Sequence, residues 1–356
     1  MVSRKFIIAI LIMAVAASSV AAKTYRYEYQ KIVNVEPRVE LTINNANGNI
    51  TIVTNNENKL KVDAVKNIFA DSKEEADKVA EHVQISVTAT EGHFMIEPQF
   101  LRIHDRSQSF WQKVLGKSGE PSYGSVDFII SVPSDCNADI YNTSGNIESA
   151  GLRGKQLISG TAGNVSIRDC QGDIEITTTS GQVALNDIEG NIHINANGSD
   201  ISFYSINGDV EVRNSSGKMT GEYLIGDLIM TQTTGVIELT HIEGDVRLKS
   251  TSGKINVLQE YGAVDITTES GDINIRTELN SNKDYFIETI SGSIRFVIPE
   301  ASGGLVKLEA GSGEIDTEIP ISIDSFSRTR IAGSFGNGGP KIHLTTMSGD
   351  IEFAEF

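Results

Sequence analysis

The chain has few cysteines, few aromatic residues and few basic side chains for its 356 residues. Two cysteines are too few for a fold that depends on a dense disulfide framework. There are 30 Lys and Arg against 47 Asp and Glu, and the net charge of −17 argues against nucleic acid and anionic membranes as partners. Only 6% of residues are aromatic, whereas glycine occurs 33 times, which indicates repeated turns more than an ordinary globular core.

A long apolar run occurs only at the N-terminus. Two basic residues precede an almost wholly apolar segment from Phe6 to Ala17, and small residues follow as far as Ala22. This order predicts a signal peptide over residues 1–22 and an exported mature chain in the periplasm, at the cell surface or outside the cell. The apolar run is shorter than the roughly 20 residues that a membrane span needs, which disfavours an uncleaved anchor.

Glycine recurs at a fixed interval through the middle of the chain. In steps of nine from Gly145 to Gly271, 14 of 15 positions are glycine, and Ser199 is the exception. An aliphatic residue usually follows two positions after each glycine and another two positions later, with a polar residue between them. This alternation predicts a strand with one buried face after each glycine. Such a short, sustained period is typical of a solenoid.

The full period is 18 residues, because alternate glycines are followed by different residues at position seven. One set is followed by aliphatic side chains such as Ile188 and Leu224, and the other by polar ones such as Thr179 and Ser215. The sequence therefore predicts an all-β fold, a single-stranded parallel β-helix or β-solenoid. Each coil would contain two nine-residue halves with unlike corners. Coils of three shorter strands are the alternative geometry.

The repeat is weaker at both ends of the chain, for example around Gly48 and Gly349. Terminal units of a solenoid are expected to differ from the others, because they must close the stack. Residues 23–135 are predicted to form an N-terminal capping region with the first repeat, and residues 136–356 the solenoid domain. A capping box followed by an apolar stripe predicts a helix over residues 71–84 that covers an open end or edge.

Residues 100–124 interrupt the repeat and contain the single tryptophan. Arg102, Phe110, Trp111 and Lys113 give this segment a basic and aromatic character within an acidic protein. These four residues are therefore candidate contacts for a partner or an envelope surface. The alternative is a cap whose aromatic side chains pack against the solenoid.

The two cysteines are not expected to form a disulfide. Cys170 falls in the inward aliphatic row, where a thiol behaves as a small hydrophobic side chain. Cys136 lies nearly two coils earlier, which corresponds to roughly 10 Å at the spacing of paired strands. That separation exceeds the Cα distance that a disulfide spans.

Three kinds of motif resemble one known family. They are VDFIISVP at Val126–Pro133, NTSGNI at Asn142–Ile147, and the repeated Ser-Gly-Asp-Ile or Glu-Gly-Asn-Ile tetrapeptides. Together they resemble the bacterial "putative adhesin" domain family, which is related to the head GIN domain of auto-transporter adhesins. The resemblance covers roughly residues 36–356. It implies a β-helical, exported, non-enzymatic protein, and it supplies no binding residue for this chain.

An acidic row directly follows the glycines at one corner. Its members are Asp173, Asn191, Asp209, Asp227 and Asp245. The four aspartates are candidate ligands for weak calcium binding. Calcium-binding nonapeptides, however, contain several glycines and place the aspartate two positions after the last one. Asp and Asn favour turns through hydrogen bonds to nearby backbone, and this explains the row without a metal.

A β-helical carbohydrate-active enzyme is the main catalytic alternative. Such an enzyme needs two carboxylates about 5 to 10 Å apart in a cleft. Glu175 and Glu211 lie two coils apart on one outward row, but the repeat creates outward acids in many places. The six histidines show no metal-ligand spacing and are most simply solvated or edge residues. The sequence therefore favours an adhesin or interaction scaffold of the cell envelope, without a cofactor, for an unknown protein or glycan ligand.

Overall fold

The structure is a computed structural model that describes residues 23–100 and 124–356. The predicted signal peptide and nearly all of the basic aromatic segment lie outside these ranges. Within them the chain is all-β apart from one short helix, and its strands form one hydrogen-bonded, solenoid-like sheet. No helix in the two described ranges is long and apolar enough to cross a membrane.

The N-terminal end combines antiparallel capping strands with the first parallel coil. Its elements are β1 (Lys23–Asn34), β2 (Val39–Asn47), β3 (Ile50–Asn55), β4 (Lys59–Ala70), α1 (Lys73–His82), β5 (Val83–Thr90), β6 (His93–Phe100), β7 (Gly124–Pro133), β8 (Cys136–Ser144) and β9 (Ile147–Ala150). β1 pairs with β4, β4 with β7 and β5 with β6, all antiparallel. β2 and β3 pair in parallel with β8 and β9, so the stack includes strands from before residue 136.

Helix α1 covers the terminal strands and lies inside its predicted bounds. The Ser72 hydroxyl accepts a hydrogen bond from the Glu75 N–H at 3.2 Å, which satisfies one of the free donors of the first turn. Ala76 and Val79 are buried on the face that packs against β4, β5 and β1. The Tyr27 hydroxyl on β1 donates to Asp77 at 2.6 Å and ties the edge strand to the helix.

The central part is a regular parallel stack. Its strands are β10 (Gln156–Ala162), β11 (Val165–Gln171), β12 (Ile174–Glu189), β13 (Ile192–Asn207), β14 (Val210–Ile225), β15 (Leu228–Glu243), β16 (Val246–Ser252), β17 (Ile255–Tyr261), β18 (Val264–Ser270) and β19 (Ile273–Thr277). Most paired residues are 18 positions apart, as Ile174 and Ile192 are, and the register shifts where Ile242 pairs with Gln259. β12 to β15 each continue through the Ser/Thr-Gly corner, so each is one bent strand of 16 residues rather than two short ones.

The core consists of aliphatic ladders and one polar ladder. Ile174, Leu185 and Ile188 are almost completely buried, and each aliphatic side chain buried in this way contributes about 1.5–3 kcal/mol. The polar ladder satisfies carbonyl groups at the Ser/Thr-Gly corner: Asn214 Nδ2 donates to the Ser216 carbonyl oxygen at 2.8 Å. The polar ladder thus provides hydrogen-bond donors for backbone carbonyl groups at this corner.

At the C-terminal end, the order of strands in space differs from their order in the chain. The strands are β20 (Tyr285–Ser291), β21 (Ile294–Ile298), β22 (Gly304–Ser312), β23 (Ile315–Thr317), β24 (Ser322–Ser327), β25 (Arg330–Phe335), β26 (Lys341–Ser348) and β27 (Ile351–Glu355). β26 lies between β20 and β22, and β27 lies between β21 and β23, with parallel pairing throughout. β25 pairs antiparallel with β22, and β24 with β25. The last coil of the sequence is therefore inserted into the stack.

Both cysteines are buried and free. Burial, together with the charges of Glu40 and Asp135, raises the pKa of the Cys136 thiol to about 12. A thiol in this state is protonated at neutral pH and is a poor nucleophile. The cysteines therefore act as small core residues.

Candidate functional site

The acidic row is engaged by the backbone of the neighbouring coil. Each predicted cation ligand accepts a hydrogen bond through Oδ1 from the N–H group one coil later. The donors are Asn191 to Asp173 (3.1 Å), Asp227 to Asp209 (2.8 Å), Asp245 to Asp227 (3.0 Å) and Ala263 to Asp245 (2.9 Å). These carboxylates thus act as connections between successive coils, and cation binding by the row stays a prediction.

Asp245, at the end of the row, is paired with a lysine. Lys283 Nζ lies 2.8 and 3.0 Å from its two carboxylate oxygens. Although burial opposes it, the Ala263 N–H and the Lys283 ammonium hold the pKa of Asp245 below its usual value. Among residues 23–100 and 124–356, no group of three or more His, Cys, Asp or Glu side chains is placed to hold a metal ion.

We expect Asp227→Asn to retain the stability of the protein and Asp227→Ala to lower it. The amide oxygen of asparagine can accept the same N–H bond, as Asn191 does from Asp209 at 3.1 Å. Alanine removes the acceptor, and the lost bond should reduce the free energy of unfolding by about 1 kcal/mol. Urea denaturation of the two variants measures the difference. Equal losses in both would mean that the charge, and not the hydrogen bond, stabilises this corner.

The carboxylates considered for glycoside cleavage are partly exposed and ion-paired. Glu175 and Glu211 lie on one outward row with His193 between them. Lys155 Nζ is 3.6 Å from Glu175, and His193 Nδ1 is 3.3 Å from Glu211, which Arg213 also contacts. Neither carboxyl therefore has the buried, apolar surroundings that a general acid requires.

The other end of each central strand has a left-handed kink. The kinked residues are Asp169 (φ 55°), Asp187 (φ 54°), Ser205 (φ 58°), Tyr223 (φ 56°) and His241 (φ 55°). Each precedes an inward residue such as Ile206 or Leu224, and the kink directs that next side chain into the core. Bulky residues seldom adopt this conformation, so Tyr223 is held in it by the stack.

Aromatic side chains follow this kinked corner along the solenoid. The rings of Tyr223 and His241 are stacked, with centroids 4.7 Å apart and planes inclined by 20°. Tyr204 meets Tyr223 edge to face at 5.6 Å, and the two tyrosines are each 46% exposed. Ile225 and Tyr261 are also exposed on this side. An aromatic and apolar surface is thus presented to solvent by an acidic, aromatic-poor protein.

A groove of about 550 Å³ runs beside these rings. Its walls include Tyr223, Ile225 and His241, and they contain no lysine or arginine among the described residues. It also contains four carboxylates, from Asp187, Glu189, Glu243 and Glu260. We call this feature the acidic aromatic groove. In it, exposed rings and several carboxylates without a basic partner occur together.

The sequence patterns do not predict this groove. They indicate a solvated or edge position for His241 and no role for Asp187, Ser205 or Tyr223. The available signal was that these residues occur one full period apart, directly before the inward aliphatic row. The predicted contacts Arg102, Phe110, Trp111 and Lys113 lie outside the described residues, so their role stays a prediction.

Comparison with known proteins identifies a family and several distant structural likenesses. The family model described as Toastrack DUF4097 matches residues 39–353. No curated protein matches the chain significantly. A "putative adhesin" from Parabacteroides merdae is 10% identical over 76% of this chain and 95% of that chain, with a TM-score of 0.36.

Two further solved structures are similar over most of their length. A "putative cell adhesion protein" from Clostridium sporogenes is 14% identical over 93% of this chain and 100% of that chain, with a TM-score of 0.19. A "putative lipid binding protein" from Parabacteroides distasonis is 9% identical over 92% of this chain and 96% of that chain, with a TM-score of 0.27. No ligand or activity of the present chain follows from these likenesses.

Proposed function

The chain belongs to the Toastrack DUF4097 family, and we propose that it is an exported, non-enzymatic binding scaffold of the bacterial cell envelope, of the adhesin type. The acidic aromatic groove is the observation that supports this proposal most directly. Exposed rings beside a few polar groups in a concave surface are the usual composition of a ligand site. An extended ligand lying along the solenoid would contact Tyr223 and Ile225 in one coil and His241 in the next.

The stack supports such a site by fixing its side chains on a rigid backbone. Each strand that carries a groove residue is hydrogen-bonded to a strand on both sides, 18 residues away in either direction. Binding then requires little ordering of the protein, which reduces the entropic penalty of association. We also propose that the coils have 18 residues throughout the central stack. The mature chain would follow a signal peptide over residues 1–22, and the domain would be related to the head GIN domain.

The non-enzymatic part of the proposal is supported by the surroundings of the acidic residues. The corner aspartates accept backbone hydrogen bonds, and Glu175 and Glu211 are paired with cations. The groove carboxylates are exposed and lie beside rings that suit binding through their faces and edges. These arrangements suit fixing side chains in place or binding a ligand. They do not provide two carboxyl groups in different environments, one to act as the acid and the other as the base.

A binding assay with insoluble glycans tests the proposal. The purified chain is incubated with cellulose, chitin, chitosan and isolated peptidoglycan, and both retained protein and released reducing sugar are measured. We expect retention on at least one glycan without sugar release. Tyr223→Ala should weaken retention about tenfold, a loss of roughly 1.4 kcal/mol. Tyr141→Ala is the matched control, because Tyr141 is also exposed but lies on β8 outside the groove.

Three results would contradict the proposal. The first is release of sugar that Glu175→Gln or Glu211→Gln abolishes, since this would make the outward row a catalytic pair. The second is failure of every glycan to retain the wild-type chain, and the third is equal retention of wild type and Tyr223→Ala. Circular dichroism of each variant shows whether the fold is intact before binding is compared.

A further inference from the structure

The charges in the acidic aromatic groove are separated along its length. Glu189, Asn207, Ile225 and Glu243 form one ladder, each paired in register with the next. The two carboxylates are therefore three strand spacings apart, or about 14 Å. Between them lie one amide and one exposed aliphatic side chain. The ladder is thus negative at both ends and uncharged in the middle.

The two remaining groove carboxylates strengthen this pattern. Asp187 lies two residues before Glu189, at the same end. Glu260 directly precedes Tyr261, which is the partner of Glu243 in the next coil. Each end of the groove therefore has two acids, while Tyr223 lies in the uncharged middle.

The four acids have no cationic partner among the described residues. Gln171 Nε2 donates to Glu189 at 2.9 Å, but no Lys, Arg or His nitrogen forms an ion pair with any of the four. Lys283, near Tyr261, is engaged by Asp245 at 2.8 Å. A cleft lined by one sign of charge concentrates counter-ions of the opposite sign. The groove thus favours a positively charged ligand.

The shape of the charge distribution selects the kind of cation. A calcium ion needs six to eight oxygen ligands around one point, whereas these carboxylates are spread over several coils. An extended organic cation instead carries its charges apart and has an apolar body between them. The exposed part of the Tyr223 ring suits such a body, because aromatic rings pack on methylene groups.

We propose that the acidic aromatic groove binds an extended organic cation with an ammonium group near each end. One ammonium group pairs with Glu189 and Asp187, and the other with Glu243 and Glu260. The body of the ligand lies on Tyr223 and Ile225. This inference rests on the proposed function, in which the groove is the binding site. The ligand class includes free polyamines and glycan chains that carry unacetylated amines.

Calorimetric titration with amines of different length tests the inference. The purified chain is titrated at low salt with butylamine, 1,4-diaminobutane, 1,10-diaminodecane and spermine. We expect the two long amines to bind at least about tenfold more tightly than the two short ones, because only the long ones span about three strand spacings. Added salt should weaken the binding, as expected for exposed charges.

Charge-removing variants locate the binding. Glu189→Gln and Glu243→Gln should each weaken spermine binding about tenfold and abolish the preference for long amines. Glu148→Gln is the matched control, since Glu148 is an exposed, unpaired acid on β9 outside the groove. Equal affinity for short and long diamines, or spermine binding unaffected by both groove variants, would overturn the inference.

A final pair of probes distinguishes the two sources of the ammonium groups. Tighter binding of spermine than of a chitosan oligomer would assign a free polyamine, and the reverse an amine-bearing glycan. Equally tight binding of the fully N-acetylated oligomer would overturn the inference, because that chain carries no ammonium group. Glycan retention that depends on Tyr223, without any amine binding, would leave the proposed function intact and remove only this inference.

Discussion

Gly253→Ala is expected to lower the free energy of unfolding by at least about 3 kcal/mol. Gly253 has a φ of 135°, a conformation that residues with a Cβ seldom adopt. Its neighbour in the preceding coil is Gly235, and an added Cβ would overlap the Gly235 carbonyl oxygen. Because that atom belongs to the backbone of a paired strand, relief would require the two coils to separate locally.

The control is Gly92→Ala, which also places a Cβ on a residue with positive φ but without a contact to a neighbouring strand. Gly92 has a φ of 84°, but no atom lies within 4 Å of the position that its Cβ would occupy. Backbone strain alone should therefore cost about 1 kcal/mol at this position. Urea and thermal unfolding of the two variants measure both losses. Similar losses would mean that close coil stacking does not explain the glycine row.

Phe296→Ala is expected to destabilise the protein by about 3–5 kcal/mol, as is usual when a buried aromatic ring is removed. Phe296 is 0% exposed and lies between two other buried rings, one from its own coil and one from the adjacent coil. Its centroid is 5.8 Å from that of Tyr285 and 6.2 Å from that of Phe353. The ring therefore joins β20 and β21 to the inserted strand β27, and its removal leaves a cavity at that junction.

Phe286→Ala is the matched control for this prediction. Phe286 is on the neighbouring strand β20 but is 46% exposed on the outer face. Its removal should change the free energy of unfolding by less than about 1 kcal/mol, since little buried area is lost. Denaturant unfolding compares the two variants directly. A loss for Phe286→Ala as large as that for Phe296→Ala would contradict the assignment of inner and outer faces.

The regular part of the fold was predictable because two local signals coincide in it. Alternation of aliphatic and polar residues marks the inner face, as at Ile174 and Ile176, and glycine marks the corner where a Cβ does not fit. Both signals depend only on residues close in sequence. They predicted the all-β solenoid-like class, although they divided each central coil into two strands where β12 continues through the corner.

The order of the last coils could not be read from these signals. The motifs at Gly292, Gly313 and Gly349 are alike, so each could stack on any other. The structure places the coil of Gly349 between the other two. This order depends on connection lengths and on the antiparallel strands β24 and β25, which have none of the solenoid's glycine periodicity.

The groove cannot be predicted from the repeat for a different reason. The repeat constrains inward positions strongly, because every coil must fill the same core, but it leaves outward positions free to vary. Tyr223 and Ser205 occupy equivalent positions in successive coils although their side chains have little in common. A search for periodic residue types therefore finds the scaffold and overlooks the place where the outer face departs from regularity.

Thermal unfolding in EDTA and in millimolar calcium is the most direct test of whether the repeated rows serve only as scaffold. If they do, ligand binding is left to the irregular groove. We expect the same melting temperature in both conditions, because the oxygens of Asp209 and Asp227 that face the next coil already accept backbone hydrogen bonds. Asp227→Asn should melt like the wild type in both buffers. A large increase in melting temperature with calcium, absent from Asp227→Asn, would instead show that the acidic row is a metal site.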